Sequence, residues 1–187
     1  MEALEVLLNR VSAPRLMAPA PTAAQREVLF QAALRAPDHG QLRPWRFLTV
    51  EGEGLQQLGE VLAEATALNP EAGEAALEKA RNMPLRAPLV VVVIARLQEH
   101  RKVPQSEQLL AAGCAAHGIL LAANAQGLGG VWRTGELSYA PYVAGKLGLI
   151  EGEQIIGFLY LGTPARELRE APALATADFV QAWGVEA

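Results

Sequence analysis

Apolar residues fall along this chain in two rhythms, and the two rhythms divide it into strands and helices. Pro88–Ala95 (PLVVVVIA) is a continuous β-branched run, the pattern of a strand buried on both faces. Gln154–Leu161 (QIIGFLYL) repeats that pattern. Trp45–Glu51 (WRFLTVE) and Leu128–Arg133 read as shorter strands. Helical spacing is predicted for Ala3–Asn9, Ala23–Ala36, Leu55–Leu68, Ala72–Asn82, Ser106–Gln126 and Pro141–Leu147. Thr22 is placed to cap the second helix, Leu29, Ala33 and Leu34 share its apolar stripe, and Pro37 stops it. About four strands interleave with helices, and two connections are long double-helix segments. That order favours an α+β fold with a mixed sheet over a doubly wound one.

No repeat, charge block or linker divides the 187 residues, so residues 1–187 are read as one domain, with 165–187 an Ala-, Pro- and Glu-rich C-terminal arm. Apolar types make up 51% and charged types 19%. Two readings fit that excess: a well-packed core, or apolar surface hidden in an oligomer interface. The net charge of −4 argues against nucleic acid, which rewards a basic footprint. A single cysteine, Cys114, rules out an intramolecular disulfide. The N-terminal segment MEALEVLLNR does not read as a signal peptide, so a cytoplasmic protein is expected. Leu109–Val131 is apolar enough to raise the question of a membrane span, but His117, Asn124, Gln126 and five glycines favour a buried central helix and a Gly-rich turn.

The familiar chemical motifs are missing. The glycines of Gly127-Leu-Gly-Gly-Val-Trp132 follow a helix and lack the third glycine of a dinucleotide fingerprint. There is no P-loop, no His-Glu-x-x-His and no Gly-x-Ser-x-Gly. His39, His100, His117 and one cysteine are too scattered for a structural zinc site. Cys114 is expected to be a small buried hydrophobe, His117 a core or interface residue, and His100 a solvated loop residue. What remains is arginine. Arg10 and Ser12 follow the first helix, Arg35 follows the second, and Arg133 ends the strand after the glycines. Each could simply neutralise a helix end. Together, beside turn breakers and without acidic neighbours in sequence, they suggest an anion site built from planar guanidiniums. The segment Arg35-Ala-Pro-Asp-His-Gly-Gln-Leu-Arg-Pro-Trp-Arg-Phe47 concentrates this chemistry in one loop.

Four blocks in order carry a resemblance: Arg10-x-Ser12, Arg35-Ala-Pro through Pro44-Trp-x-Phe47, the Ala-rich helix ending Gln126-Gly-Leu-Gly-Gly130, and Ile155-Ile-Gly-Phe-Leu-Tyr-Leu-Gly162. This combination resembles the FMN-dependent nitroreductase family over about residues 1–164. The Asp38-His39 pair and Gly130-Val-Trp-Arg133 look like its YdjA-type branch of NAD(P)H nitroreductases. The resemblance implies an α+β fold with a mostly antiparallel central sheet of four to five strands, and an intertwined homodimer with FMN at its interface. By position, Arg10, Val11 and Ser12 would line the phosphate and ribityl side of FMN, and Val131, Trp132 and Arg133 its other side. Arg35 and His39 would reach the flavin from the partner subunit, with His39 a candidate proton donor. The NAD(P)H contacts would fall on Leu121, Ala122, Ala123, Asn124, Ala125 and Gln126. The implied reaction carries electrons from NADH or NADPH through FMN to an electron-poor small molecule such as a nitroaromatic or quinone. A flavin-binding dimer of low turnover, or another FMN chemistry (dehydrogenation, dehalogenation, flavin fragmentation), is the alternative. No metal, nucleic acid or membrane enters this reading. The chain departs from the common family pattern at Val11 (often Arg), Pro14 (often basic), Asp38 (often Ser), Gln41 (often Asn) and Arg43 (often Gln).

Overall fold

Strand β3 (Leu89–Arg96) is the axis of the molecule, and every residue in it but the last is buried. In the computed structural model, which describes residues 2–184, β3 pairs with β2 (Trp45–Glu51) from Trp45↔Ala95 to Glu51↔Leu89. It also pairs with β5 (Glu153–Pro164) from Leu89↔Leu161 to Arg96↔Glu153. β5 in turn pairs with β4 (Gly129–Arg133) and, at its end, with β1 (Leu16–Met17). The strand order is β1-β5-β3-β2, with β4 on β5.

All four pairings are antiparallel, so the expected mixed, mostly antiparallel sheet is antiparallel throughout. The reason lies in the connection from β2 to β3. Helices α3 (Glu53–Ala67) and α4 (Glu74–Arg81) pack on each other and return the chain to the end of the sheet it left. A connection that starts and finishes at one end gives antiparallel neighbours. β1 was not foreseen; it is two residues long and has no hydropathy signature of its own.

The alternation of side chains along β3 builds two cores. Val91 and Val93 face α2 (Ala23–Ala33) and α5 (Gln105–Ala125), packing with Leu29, Ala33, Ala115 and Ile119. Val90, Val92 and Ile94 face α3 and α6 (Pro141–Lys146), packing with Leu58, Leu62, Phe158 and Tyr160. Each such side chain contributes about 1.5–3 kcal/mol by leaving water. Helices α2 and α5 approach closely because Gly118 faces the backbone of α2, where a Cβ would lie 3.0 Å from the Ala32 carbonyl oxygen. α2 starts on the Thr22 capping box, as the sequence predicts. It ends three residues earlier than predicted: Arg35 and Ala36 donate to Ala32 and Ala33 in a tightened last turn before Pro37.

α5 is half buried rather than enclosed. Its Ala111, Ala112, Ala115, Ala116, Ile119 and Ala123 lie in the core, while Leu110 is 69% exposed. Cys114 and His117 sit on that outer face, so the expectation of a buried Cys114 is overturned by the helical phase of the residues around it. α1 (Ala3–Asn9) has no buried residue, and Leu4, Leu7 and Leu8 are exposed. Beyond β5 the arm runs exposed to residue 184, with Leu174, Phe179, Val180 and Trp183 uncovered.

Candidate active site

Residues 10–16 form a strap from α1 to β1, laid along β4. Val11 and Ala13 turn inward and Ser12 outward, and the Ala13 N–H donates to the Gly130 carbonyl at 3.0 Å. Arg10 is the C-cap residue of α1, half buried. The strap thereby sets Ser12 beside the start of the arm. Ser12, Pro14, Arg166, Leu168, Arg169 and Glu167 line one cavity of about 560 Å³. Pro14 also lines a second, of about 390 Å³, with Arg15, Leu16, Arg86 and Arg133. Arg86 and Arg133 line a third as well, of about 300 Å³, whose wall includes Trp132, Phe158, Tyr160, Met83 and Leu137. Pro14 is common to the first two and Arg86 and Arg133 to the last two, so the three cavities stand in a row, the trough, from a Ser–Arg end to an aromatic end.

The alternation of β4 decides what each of its side chains does. Val131 and Arg133 lie on the α3 side of the sheet and Trp132 on the α5 side. Trp132 is a structural anchor: its Nε1 donates to the Ile156 carbonyl at 3.3 Å. That carbonyl is available because the β3–β5 register slips between Val93 and Ile94, leaving Ile156 as an extra residue. Arg133 is held with its guanidinium carbon 5.6 Å from the centre of the Tyr160 ring. Its Nε is buried and has no hydrogen-bond partner. A buried donor on a charged group left unpaired costs about 1–3 kcal/mol or more, so an acceptor placed there would be favoured.

The trough is strongly cationic. Among the described residues, ion pairs form on Arg26, His39, Arg46, Arg81, Arg96 and Lys146, and none on Arg15, Arg86, Arg133, Arg166 or Arg169. The field is felt by Tyr160. Burial raises its phenol above the ordinary value, while Arg133 and Arg86 pull it back down. The donor set fits FMN: a hydroxyl and guanidiniums for a phosphate, further guanidiniums for a polar ring edge, and an aromatic wall for the ring body.

Of the sequence candidates, Ser12, Trp132 and Arg133 line the trough, and Val131 stands between the last two. Arg35 and His39 do not line it. They lie on the exposed loop between α2 and β2, where His39 Nδ1 meets Glu107 Oε2 at 2.7 Å. That loop explains one departure from the common pattern. Asp38 accepts from the Leu42 and Arg43 N–H groups at 3.2 and 2.7 Å. It closes a turn in which Gly40, Gln41 and Arg43 have φ of 75°, 53° and 50°. In the stretch given to NAD(P)H, Ala123 is fully enclosed and Ala122 nearly so. Gln126 Nε2 donates to the Ala122 and Gln25 carbonyls, and Asn124 Nδ2 to the Val6 carbonyl. Sequence reasoning missed Arg86, Arg166, Arg169 and Tyr160. Arg166 and Arg169 alternate with Glu167 and Glu170, so their segment looks neutral.

The chain is an α+β fold with a five-stranded antiparallel sheet between helix layers, edged by a cationic trough with an aromatic end. The model of the nitroreductase family matches residues 8–163. The chain is 48% identical over 164 residues to the Escherichia coli strain K12 protein named "Putative NAD(P)H nitroreductase YdjA", covering 88% of this chain and 89% of that one. It is 42% identical over 182 residues to the Haemophilus influenzae protein named "Putative NAD(P)H nitroreductase", covering 96% of this chain and 98% of that one. A nitroreductase-like family protein from Bacillus cereus superposes with a TM-score of 0.84 at 22% identity, over 99% of this chain and 97% of that one. A Desulfovibrio desulfuricans protein solved in complex with FMN superposes at 0.75 with 20% identity, over 97% of each chain. This chain belongs to the nitroreductase family of oxidoreductases.

Proposed function

We propose that the chain is an FMN-dependent NAD(P)H oxidoreductase, working as a cytoplasmic homodimer and reducing electron-poor acceptors of the nitroaromatic or quinone class. The observation that carries this reading is Arg133, a half-buried residue whose enclosed Nε has no partner, in a trough of arginines without ion pairs. The names of the relatives and an FMN-bound neighbour support it.

FMN, when bound, supplies the hydride chemistry. The chain supplies position and charge. Ser12, Arg166 and Arg169 would take the phosphate and Arg133 the polar edge of the ring, with Trp132 fixing β4. Arg10, Val11 and Val131, which line none of the three cavities, would flank the cofactor from the strap and from β4. Arg35 and His39 act on the flavin of the partner subunit. His39 Nδ1 is held against Glu107 Oε2 at 2.7 Å, which fixes the ring and turns its other nitrogen outward. The reductant meets Leu121, Asn124, Ala125 and Gln126, which keep exposed surface in this chain, and not Ala122 or Ala123. The homodimer would cover exposed apolar residues such as Leu4, Leu7 and Leu8 on α1, Leu110 on α5 and the apolar end of the arm.

FMN titration of the purified protein tests the reading. It predicts saturable uptake of one FMN per chain that weakens with salt, on a species of twice the chain mass. A colourless monomer that takes up no FMN would overturn it.

A further inference from the structure

Two groups of guanidiniums face the trough, and a phosphate needs only one of them. At one end Arg166 and Arg169 stand with Ser12, and Glu167 lines the same cavity. Past Pro14, Arg15, Arg86 and Arg133 line the next cavity with no carboxylate among them. Among the described residues none of these three side chains donates a hydrogen bond or forms an ion pair. Arg86 and Arg133 also line the third cavity together, with Tyr160. Three guanidiniums lining one open cavity repel one another only weakly through water, and an anion placed among them would meet all three. FMN offers two anionic places: its phosphate at all times, and the pyrimidine edge of its ring once reduced.

We infer that Arg86 is a redox-tuning residue: with Arg133, and with Arg15 in the same cavity, it stabilises the negative charge that reduction puts on the pyrimidine edge of the flavin. This rests on the FMN reading above. A hydride from NAD(P)H brings two electrons and one proton to the ring, NAD(P)+ leaves, and the ring gains one negative charge. The guanidinium stays protonated throughout, so it acts by charge and hydrogen bonding without transferring a proton. An interaction stronger in the reduced state than in the oxidised state raises the reduction potential. Arg86 stands in the short helical turn Pro84–Arg86 just before β3 and is exposed, so its side chain can be changed without disturbing the core.

The test compares holoenzymes of wild type, Arg86→Ala and Arg86→Lys. FMN potential is read by equilibration with a reference dye, and oxidised-FMN affinity by titration. Arg86→Ala should hold reduced FMN about tenfold less well relative to oxidised FMN, a fall of about 30 mV for a two-electron couple. Arg86→Lys should keep most of the potential, and oxidised FMN should bind both variants nearly as wild type. An unchanged potential in Arg86→Ala would overturn the inference while leaving FMN binding intact. Equal loss of both redox forms would also overturn it, because that would mark Arg86 as a phosphate contact. A wild-type chain that takes up no FMN overturns this inference and the reading beneath it.

Discussion

Trp132 and Gly157 are fitted to each other: the indole nitrogen crosses the bare Cα of Gly157 to reach the Ile156 carbonyl at 3.3 Å. A Cβ on Gly157 would overlap that nitrogen and lie 3.1 Å from the Arg133 carbonyl oxygen. Neither neighbour can yield without moving β4. Gly157→Ala should therefore cost about 1–3 kcal/mol by overpacking. It should also lower FMN retention, because β4 carries Arg133. Urea unfolding with and without FMN checks both effects, and an unchanged midpoint would contradict the fit.

Arg133 makes a two-sided prediction. Its unpartnered Nε is a liability in the free chain and a donor in the loaded one. Arg133→Met keeps most of the stem and removes the charge. Without FMN the variant should be as stable as wild type or more so. FMN should bind it more weakly by about 1.5–3 kcal/mol, the worth of a charge-assisted hydrogen bond. Melting temperatures at several FMN concentrations separate the two effects, since a ligand stabilises only the state it binds.

Asp38 holds the α2–β2 loop in a conformation that two of its residues disfavour. Gln41 and Arg43 have φ of 53° and 50°, and backbone strain of this kind costs about 1–3 kcal/mol each. Asp38→Ala removes the acceptor of two N–H groups and should destabilise by about 1–2 kcal/mol. Asp38→Asn should lose less. Limited proteolysis should then cut the Asp38→Ala loop fastest; equal rates in all three proteins would remove Asp38 from this role.

Acid stability follows from Glu153, which ties β5 to β2 across β3. Arg46 donates to both of its carboxylate oxygens at 2.7 and 2.6 Å, and its side chain is 5% exposed. The Arg46 hydrogen bonds hold the Glu153 carboxyl below its ordinary value of 4.5, with the Ile150 N–H and Arg96 adding to them and burial opposing. A depressed folded value means the stabilisation is complete above pH 4.5 and is lost as pH falls through the folded value. Glu51, lowered by Arg26, adds with the same sign. Glu153→Gln should cost about 1–3 kcal/mol at neutral pH and flatten the loss of stability in acid. Urea midpoints from neutral pH into acid would show this, and an unchanged slope would contradict it.

Hydropathy made the sheet legible because β3 and β5 are buried on both faces and so are uniformly apolar. It located the long helix but not its exposed side: the outward face of α5 carries Leu110 and Cys114, residues that look like core. β1 escaped notice because it exists only through pairing with the end of β5. In the site, Ser12 and Arg133 were visible as cations and donors beside turn breakers. Arg86, Arg166 and Arg169 come from segments 71 or more residues away from Arg15, and only the fold brings them to one trough. Asp38 looked like a specificity change; its hydrogen bonds show it shaping the loop.

The most direct test of the whole account is an anaerobic titration of the FMN-loaded protein with NADPH or NADH, followed by addition of a nitroaromatic or quinone. The account predicts that the flavin absorbance bleaches with one equivalent of reductant per site and returns when the acceptor is added. A bound flavin that neither nicotinamide reduces, or a reduced flavin that no such acceptor reoxidises, would contradict it.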